Sequence, residues 1–291
     1  MKTLASRESS AVLGAIYAVG AAVAWSTAGV IVRRIDLPAW DVTFWRSTLL
    51  LATMLPLLAW RRRAVWIDAR NAGPALFASG LLLACTFIAF ILGLGDAPVA
   101  NVLILLATTP FLTALLARLL LGEPLHRHTL AAMAAAAAGL ALSVGGSLTA
   151  GALFGMAMGG VVAFCMSLNY VIVRHRRDIG MAPSLALAGA ISALASLPFA
   201  NPSAATGADM AWLLALGPGQ LAAGLLLYVA SLKHIPAGRA ALICLLDPVL
   251  GPIWVWLIDG ERPGDLTLLG GAVVIAAAAA NVWLDSRRST G

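Results

Sequence analysis

Residues 98–123 read PVANVLILLATTPFLTALLARLLLGE, and residues 236–261 read PAGRAALICLLDPVLGPIWVWLIDGE. Shifted by 138 positions the two stretches align without a gap, Pro98 on Pro236, Pro110 on Pro248 and Gly122-Glu123 on Gly260-Glu261. The glutamates weigh most, because the chain has only three and two of them coincide. Self-similarity at a fixed period is a fold-level signal. Here the period is about half the chain, so the sequence holds two copies of one unit, residues 1–146 and 151–291. The short segment Gly146-Ser147-Leu148-Thr149-Ala150-Gly151 joins them. Both copies open on a helix ending alike, Val30-Ile31-Val32-Arg33 and Val171-Ile172-Val173-Arg174, at an offset of 141.

Composition places the units in a membrane. The chain is 61% hydrophobic and 11% charged, with a mean hydropathy of +0.92, against roughly 45–50% apolar and 25% charged in soluble domains. Ten apolar runs can be drawn: 11–32, 40–60, 73–93, 98–121, 129–146, 151–173, 183–200, 211–232, 237–258 and 266–284. Each approaches the roughly 17–25 residues that cross a bilayer as a helix. The expected fold is an all-α membrane protein of ten transmembrane helices, five per copy. An odd number of crossings turns the second copy over, so the five-helix repeats are inverted. The first run lacks a small-x-small cleavage site and reads as a retained helix.

The net charge of +6 is distributed by topology, not along a nucleic-acid footprint. With the N-terminus inside, fourteen lysines and arginines fall in cytoplasmic segments and three (Arg33, Arg34 and Arg262) outside. The positive-inside rule then puts both termini in the cytoplasm, with the 61–72 and 174–181 loops inside and the 201–209 loop outside.

Three features mark the interior. Pro110 and Pro248 sit mid-span at equivalent places, where each frees the carbonyl four residues back and bends the helix; paired kinks of this sort point to a transport site. Charges inside spans cost roughly 2.5–3.5 kcal/mol on insertion scales, which singles out Arg46 and Asp247, while Arg118 is near enough to a helix end to snorkel. Arg46 either binds a substrate carboxylate or reaches Asp41 at the rim. Asp247 either couples protons, binds an amine or joins helices by hydrogen bonds. Trp25, Ser26, Thr27, Asn101, Thr108, Asn169, Tyr170 and Tyr228 complete a polar centre on helices 1, 4, 6 and 8. The other tryptophans, Trp254 among them, read as interface anchors. Alanine- and glycine-rich helices 5 and 10 read as close-packing surfaces.

Two five-helix copies, each with a mid-helix proline twelve residues before Gly-Glu, resemble the drug/metabolite transporter superfamily, and within it EamA-type carriers. The match rests on Thr108-Thr109-Pro110, Leu121-Gly122-Glu123-Pro124, Asp247-Pro248 and Asp259-Gly260-Glu261, with Arg46 after Phe44-Trp45. The resemblance implies export of small metabolites by alternating access at a central cavity, in the manner of bacterial exporters of aromatic and neutral amino acids in the cell (inner) membrane. Helix 1 lacks the glutamate of the small multidrug-cation members, which argues against cationic-drug antiport. No cofactor, metal or nucleic-acid partner is implied; the partners are a small-molecule substrate and the lipid bilayer. A monomer suffices, and the oligomeric state is left open. The competing classes, an intramembrane enzyme or a membrane scaffold, lack convergent catalytic groups and a domain outside the bilayer.

Overall fold

The computed structural model describes residues 2–60, 62–96, 98–123, 126–145, 150–176, 183–235, 237–260 and 262–288. Pro236, Glu261, Pro124 and the joining residues 146–149 lie outside them. Among the described residues the structure is all helical and has no strand, as an apolar chain must be where lipid offers its backbone no hydrogen bonds. In order the α-helices are α1 (Lys2–Ser26), α2 (Ala28–Arg33), α3 (Ala39–Trp60), α4 (Arg62–Ala72), α5 (Pro74–Asp96), α6 (Val99–Leu106), α7 (Thr109–Leu121), α8 (Arg127–Gly145), α9 (Ala150–His175), α10 (Pro183–Ser196), α11 (Gly207–Leu214), α12 (Ala223–Ser231), α13 (Ala237–Cys244), α14 (Asp247–Asp259) and α15 (Asp265–Arg288). A π-helical stretch, Ala215–Ala222, joins α11 to α12.

Seven helical stretches are long and apolar enough to cross a membrane: Ala11–Arg33, Ala39–Trp60, Pro74–Gly95, Val99–Leu121, Leu153–His175, Gly207–Ser231 and Asp265–Leu284, with Pro183–Phe199 shorter. Of the remaining expected spans, 129–146 holds α8, and 237–258 holds α13 and α14, separated at 245–246.

The two copies interlock rather than sit side by side. α1 packs along α12 and against α13 and α14, while its repeat counterpart α9 packs along α5 and against α6 and α7. α3 pairs with α10, and α8 with α15. At the α8–α15 seam a Cβ on Gly270 would overlap the Gly139 carbonyl and the Ser143 hydroxyl, so the small residues let two backbones touch. They serve the pairing of helices 5 and 10 with each other.

Two expectations are corrected. Residues 61–72 are not a loop: 62–72 form α4, stopped by Gly73 at φ +53. The prolines interrupt the helical ladder rather than only bending it, and the carbonyl of Leu106, four residues before Pro110, is taken by the Thr109 hydroxyl. The helices are interrupted at 107–108 and at 245–246, equivalent positions, and Pro110 and Pro248 are second residues of the segments that follow. There the missing N–H is harmless. Gly122 and Gly260 cap these helices at φ +70 and +72, the left-handed C-cap for which glycine is preferred.

Candidate functional site

The polar centre is built where helix 1 breaks. Ser26 and Thr27 carry adjacent hydroxyls that bond back to Val23 O (2.8 Å) and Ala24 O (2.7 Å), competing with the helical ladder as such side chains do. α1 therefore ends at Ser26 and α2 starts at Ala28. The carbonyl of Trp25 at this break accepts a 3.1 Å bond from Nε2 of Gln220. Gln220 lies in the π-helical stretch around Pro218. Proline cannot donate to the carbonyl four residues back, so a local i→i+5 pattern, the π-bulge often seen at functional sites, accommodates it.

Around this break the side chains converge. The rings of Trp25 and Tyr228 lie 5.6 Å apart. Trp254 Nε1 donates to Ser26 Oγ at 3.0 Å. Gly224 makes room: a Cβ there would overlap the Trp25 indole. Tyr228 and, from α13, Ile243 pack on the cluster that contains Ala18 of α1, and Cys244 Sγ lies 4.0 Å from Ala18 O, three residues before Asp247, the first residue of α14. Tyr170 is 46% exposed.

The helix halves on the two sides of the breaks pack differently. α2, α6 and α14 pack together. A Cβ on Gly29 would lie 2.9 Å from Val99 and 3.0 Å from Val255, and one on Gly251 would overlap Leu103. Arg34 bonds Asp259 at 2.9 Å on that side. On the other side α7 stays on α9, and Arg174 meets Glu123 at 3.0 Å, while α13 stays on α1 and α15. Among the described residues α7 and α13 do not pack on each other as α6 and α14 do. A separate cavity of about 190 Å³, lined by Arg33, Ile35, Val42, Ile91 and Leu94 among others, lies between α2, α3 and α5 and holds none of the groups at the break.

The expected residues divide into those at this centre and those elsewhere. Trp25, Ser26 and Tyr228 share it, and Asp247 starts α14, which packs on α1. Thr108 closes its own break, donating to Leu105 O at 2.6 Å, and Thr109 likewise bonds Leu106 O at 2.6 Å. Asn169 accepts from Ser79 Oγ at 2.6 Å and joins α9 to α5. Asn101 is buried with its amide nitrogen unbonded, one turn from Ile104 on the α6 face that meets Gly271 of α15. The unbonded hydroxyl of Thr267 is one turn from Gly271 on α15. Asn101 thus faces the α6–α15 contact rather than the Trp25 cluster.

Arg46 is 4% exposed. Its guanidinium carbon lies 5.5 and 5.6 Å from the ring centres of Phe87 and Phe90, and its Nε has no hydrogen-bond partner. It does not reach Asp41, whose carboxylate instead accepts from the Asn201 backbone. Among the described residues this is a buried cation with no carboxylate beside it, an arrangement that costs several kcal/mol unless something anionic arrives.

Gln220 and Trp254 are the contributors that the sequence pattern missed. Trp254 is not an interface anchor, since its indole points inward to Ser26. Ser167, the repeat partner of Ser26, lies 2.6 Å from Ala163 O and 3.0 Å from Thr109 O, which ties α9 to the break in helix 4. No group of three or more metal-binding side chains occurs among the described residues.

Known proteins share this layout. The model of the EamA-like transporter family matches residues 12–145 and again 153–283. The pseudopaline exporter CntI of Pseudomonas aeruginosa is 26% identical in each of two strains, over 272 and 276 residues, covering 91% of this chain and 94% of the relative. A solved structure, 20% identical, superposes with a TM-score of 0.65 over 96% of this chain and 98% of that one, a likeness of fold alone.

Proposed function

The chain belongs to the EamA-like transporter family, and we propose that it exports small zwitterionic metabolites, foremost neutral and aromatic amino acids, by alternating access. In this reading ten helices cross the bacterial inner membrane as two inverted repeats, 1–146 and 151–291, with both termini cytoplasmic. The Trp25–Tyr228 cluster is the substrate site. The observation that carries it is the convergence of aromatic and polar groups on one break: the rings of Trp25 and Tyr228, the bond from Trp254 to Ser26 and the bond from Gln220 to the Trp25 carbonyl.

The substrate amine sits at Asp247 against these rings, an arrangement favoured by charge and by cation–π attraction. Arg46, buried and unpaired, takes the carboxylate through its guanidinium fork. Phosphorylated solutes fit poorly, because one buried arginine is too little cationic charge for them. Asp247 also couples protons. Its repeat partner Thr109 donates to the carbonyl three residues back; an ionised Asp247 has no proton for the equivalent carbonyl of Cys244, and a protonated one does. Pro110 and Pro248 mark the two hinges. The chain is cytoplasm-facing in the arrangement with α6 and α14 together and α7 and α13 apart.

Counterflow into proteoliposomes with radiolabelled phenylalanine, leucine and a wider amino-acid panel tests this. Pseudopaline belongs in the panel because both named relatives export it. Arg46→Gln should depress amino-acid flux more than flux of the matching decarboxylated amine, and Asp247→Asn should abolish pH-dependent exchange. Folded wild-type protein that moves no amino acid would end the proposal.

A further inference from the structure

α4 is an eleven-residue helix set between the ends of two membrane-length helices, for α3 stops at Trp60 and α5 starts at Pro74. Its inner side rests on α3, α5 and α10, with Val65, Asp68 and Ala69 half-buried and Ala72 fully buried. Its other side carries Arg63, Trp66, Ile67 and Arg70, all exposed. Spacings of three and four place these four residues on one helical face. The face is apolar at its centre and cationic at both ends, the two arginines lying about 10 Å apart along the axis.

Trp66 is 64% and Ile67 48% exposed, and the neighbouring Trp60 is 87% exposed. The Arg70 guanidinium stacks 5.4 Å from the Trp66 ring centre. Neither Arg63 nor Arg70 meets a carboxylate among the described residues. A bare tryptophan–isoleucine pair bracketed by unneutralised arginines is stable where ring and aliphatic chain leave water while the guanidinium groups find negative charge. That combination exists at the headgroup layer of a membrane.

We propose that this face of α4 lies in the headgroup layer and binds anionic phospholipid, with Arg63 and Arg70 on lipid phosphates and Trp66 and Ile67 among the upper acyl chains. α4 is thus a lipid-binding strap across the end of helices 2 and 3. Its position relative to the bundle is fixed by buried Ala72 and by the left-handed turn at Gly73. The proposal does not depend on the substrate site.

The test counts lipids retained by the full-length protein, released from micelles containing phosphatidylglycerol or phosphatidylcholine, by native mass spectrometry. Each arginine near an anionic surface is worth about fivefold in affinity, so Arg63→Gln with Arg70→Gln should lose about 25-fold of the preference for phosphatidylglycerol. Arg63→Lys with Arg70→Lys should keep most of it. As a second readout, phosphatidylglycerol with brominated chains should quench the wild type more than Trp66→Phe. An unchanged lipid preference in the glutamine pair overturns the proposal. So do equal quenching with and without Trp66, and displacement of the lipid by millimolar inorganic phosphate. Counterflow measured on the same variants reads the substrate site separately.

Discussion

The crossing of α1 on α12 and the crossing of α9 on α5 are one contact made twice, because helix 1 corresponds to helix 6 and helix 8 to helix 3. Their side chains differ systematically. Trp25, Ser26, Gln220 and Tyr228 occupy the first, and Met166, Ser167, Leu82 and Phe90 stand at the same places in the second. Only the serine is kept. In the polar crossing helix 1 is broken at Thr27 and helix 8 takes a π-helical turn. In the second, more apolar crossing α9 and α5 run unbroken; Met166 packs on the cluster that contains Phe87 and Leu83, and the polar pair is Ser79–Asn169. Polar side chains in a membrane helix require partners, and satisfying them reshapes the backbone. Duplication supplied two equivalent crossings, and the polar groups were concentrated in one of them.

The strongest way to break this contrast is to turn the first crossing into the second. Trp25→Met with Gln220→Leu and Tyr228→Phe should leave an expressed, monodisperse protein whose counterflow falls to background. Retained transport would place the substrate elsewhere. A gentler probe is Gly224→Ala, whose methyl group would overlap the Trp25 indole. Overpacking of this kind costs about 1–3 kcal/mol, at least about fivefold in transport if Trp25 holds substrate. Thr86, at the equivalent place in the apolar crossing, already carries a Cβ, so Thr86→Ala should change flux little. The smallest effect is expected at the rim. Arg174–Glu123 is partly exposed, so Glu123→Gln should cost no more than about 1 kcal/mol. The resulting drop in unfolding temperature should shrink in 1 M salt, where screening acts over about 3 Å.

The sequence made the duplication, the helical class and the family legible, because Pro110/Pro248 and Gly122-Glu123/Gly260-Glu261 recur at one offset and two of the chain's three glutamates are among them. Glu123 pairs with Arg174, so two of the repeat's marks prove to be partners across the copies. Trp25, Ser26, Tyr228 and Asp247 were visible as polar groups within spans. Gln220 was not, since its role depends on a carbonyl 195 residues away that is free only because of the break at Thr27. Trp254 was misread because proximity to a span end does not say which way an indole faces. Asn101 and Asn169 looked equivalent to Trp25 as intramembrane polar residues, yet they sit against α15 and α5. α4 escaped notice because eleven residues with three arginines read as a connecting loop.

The bond from Gln220 to Trp25 also bears on how the protein is made. A ribosome adding roughly 5–20 residues per second needs about 10–40 s to cover the 195 residues between these partners. Until then the Trp25 carbonyl lacks this partner, and the face of α1 that packs on α12 is uncovered. The same holds for α5, α6 and α7 until α9 arrives. The first repeat alone therefore leaves uncovered the faces that the second repeat fills.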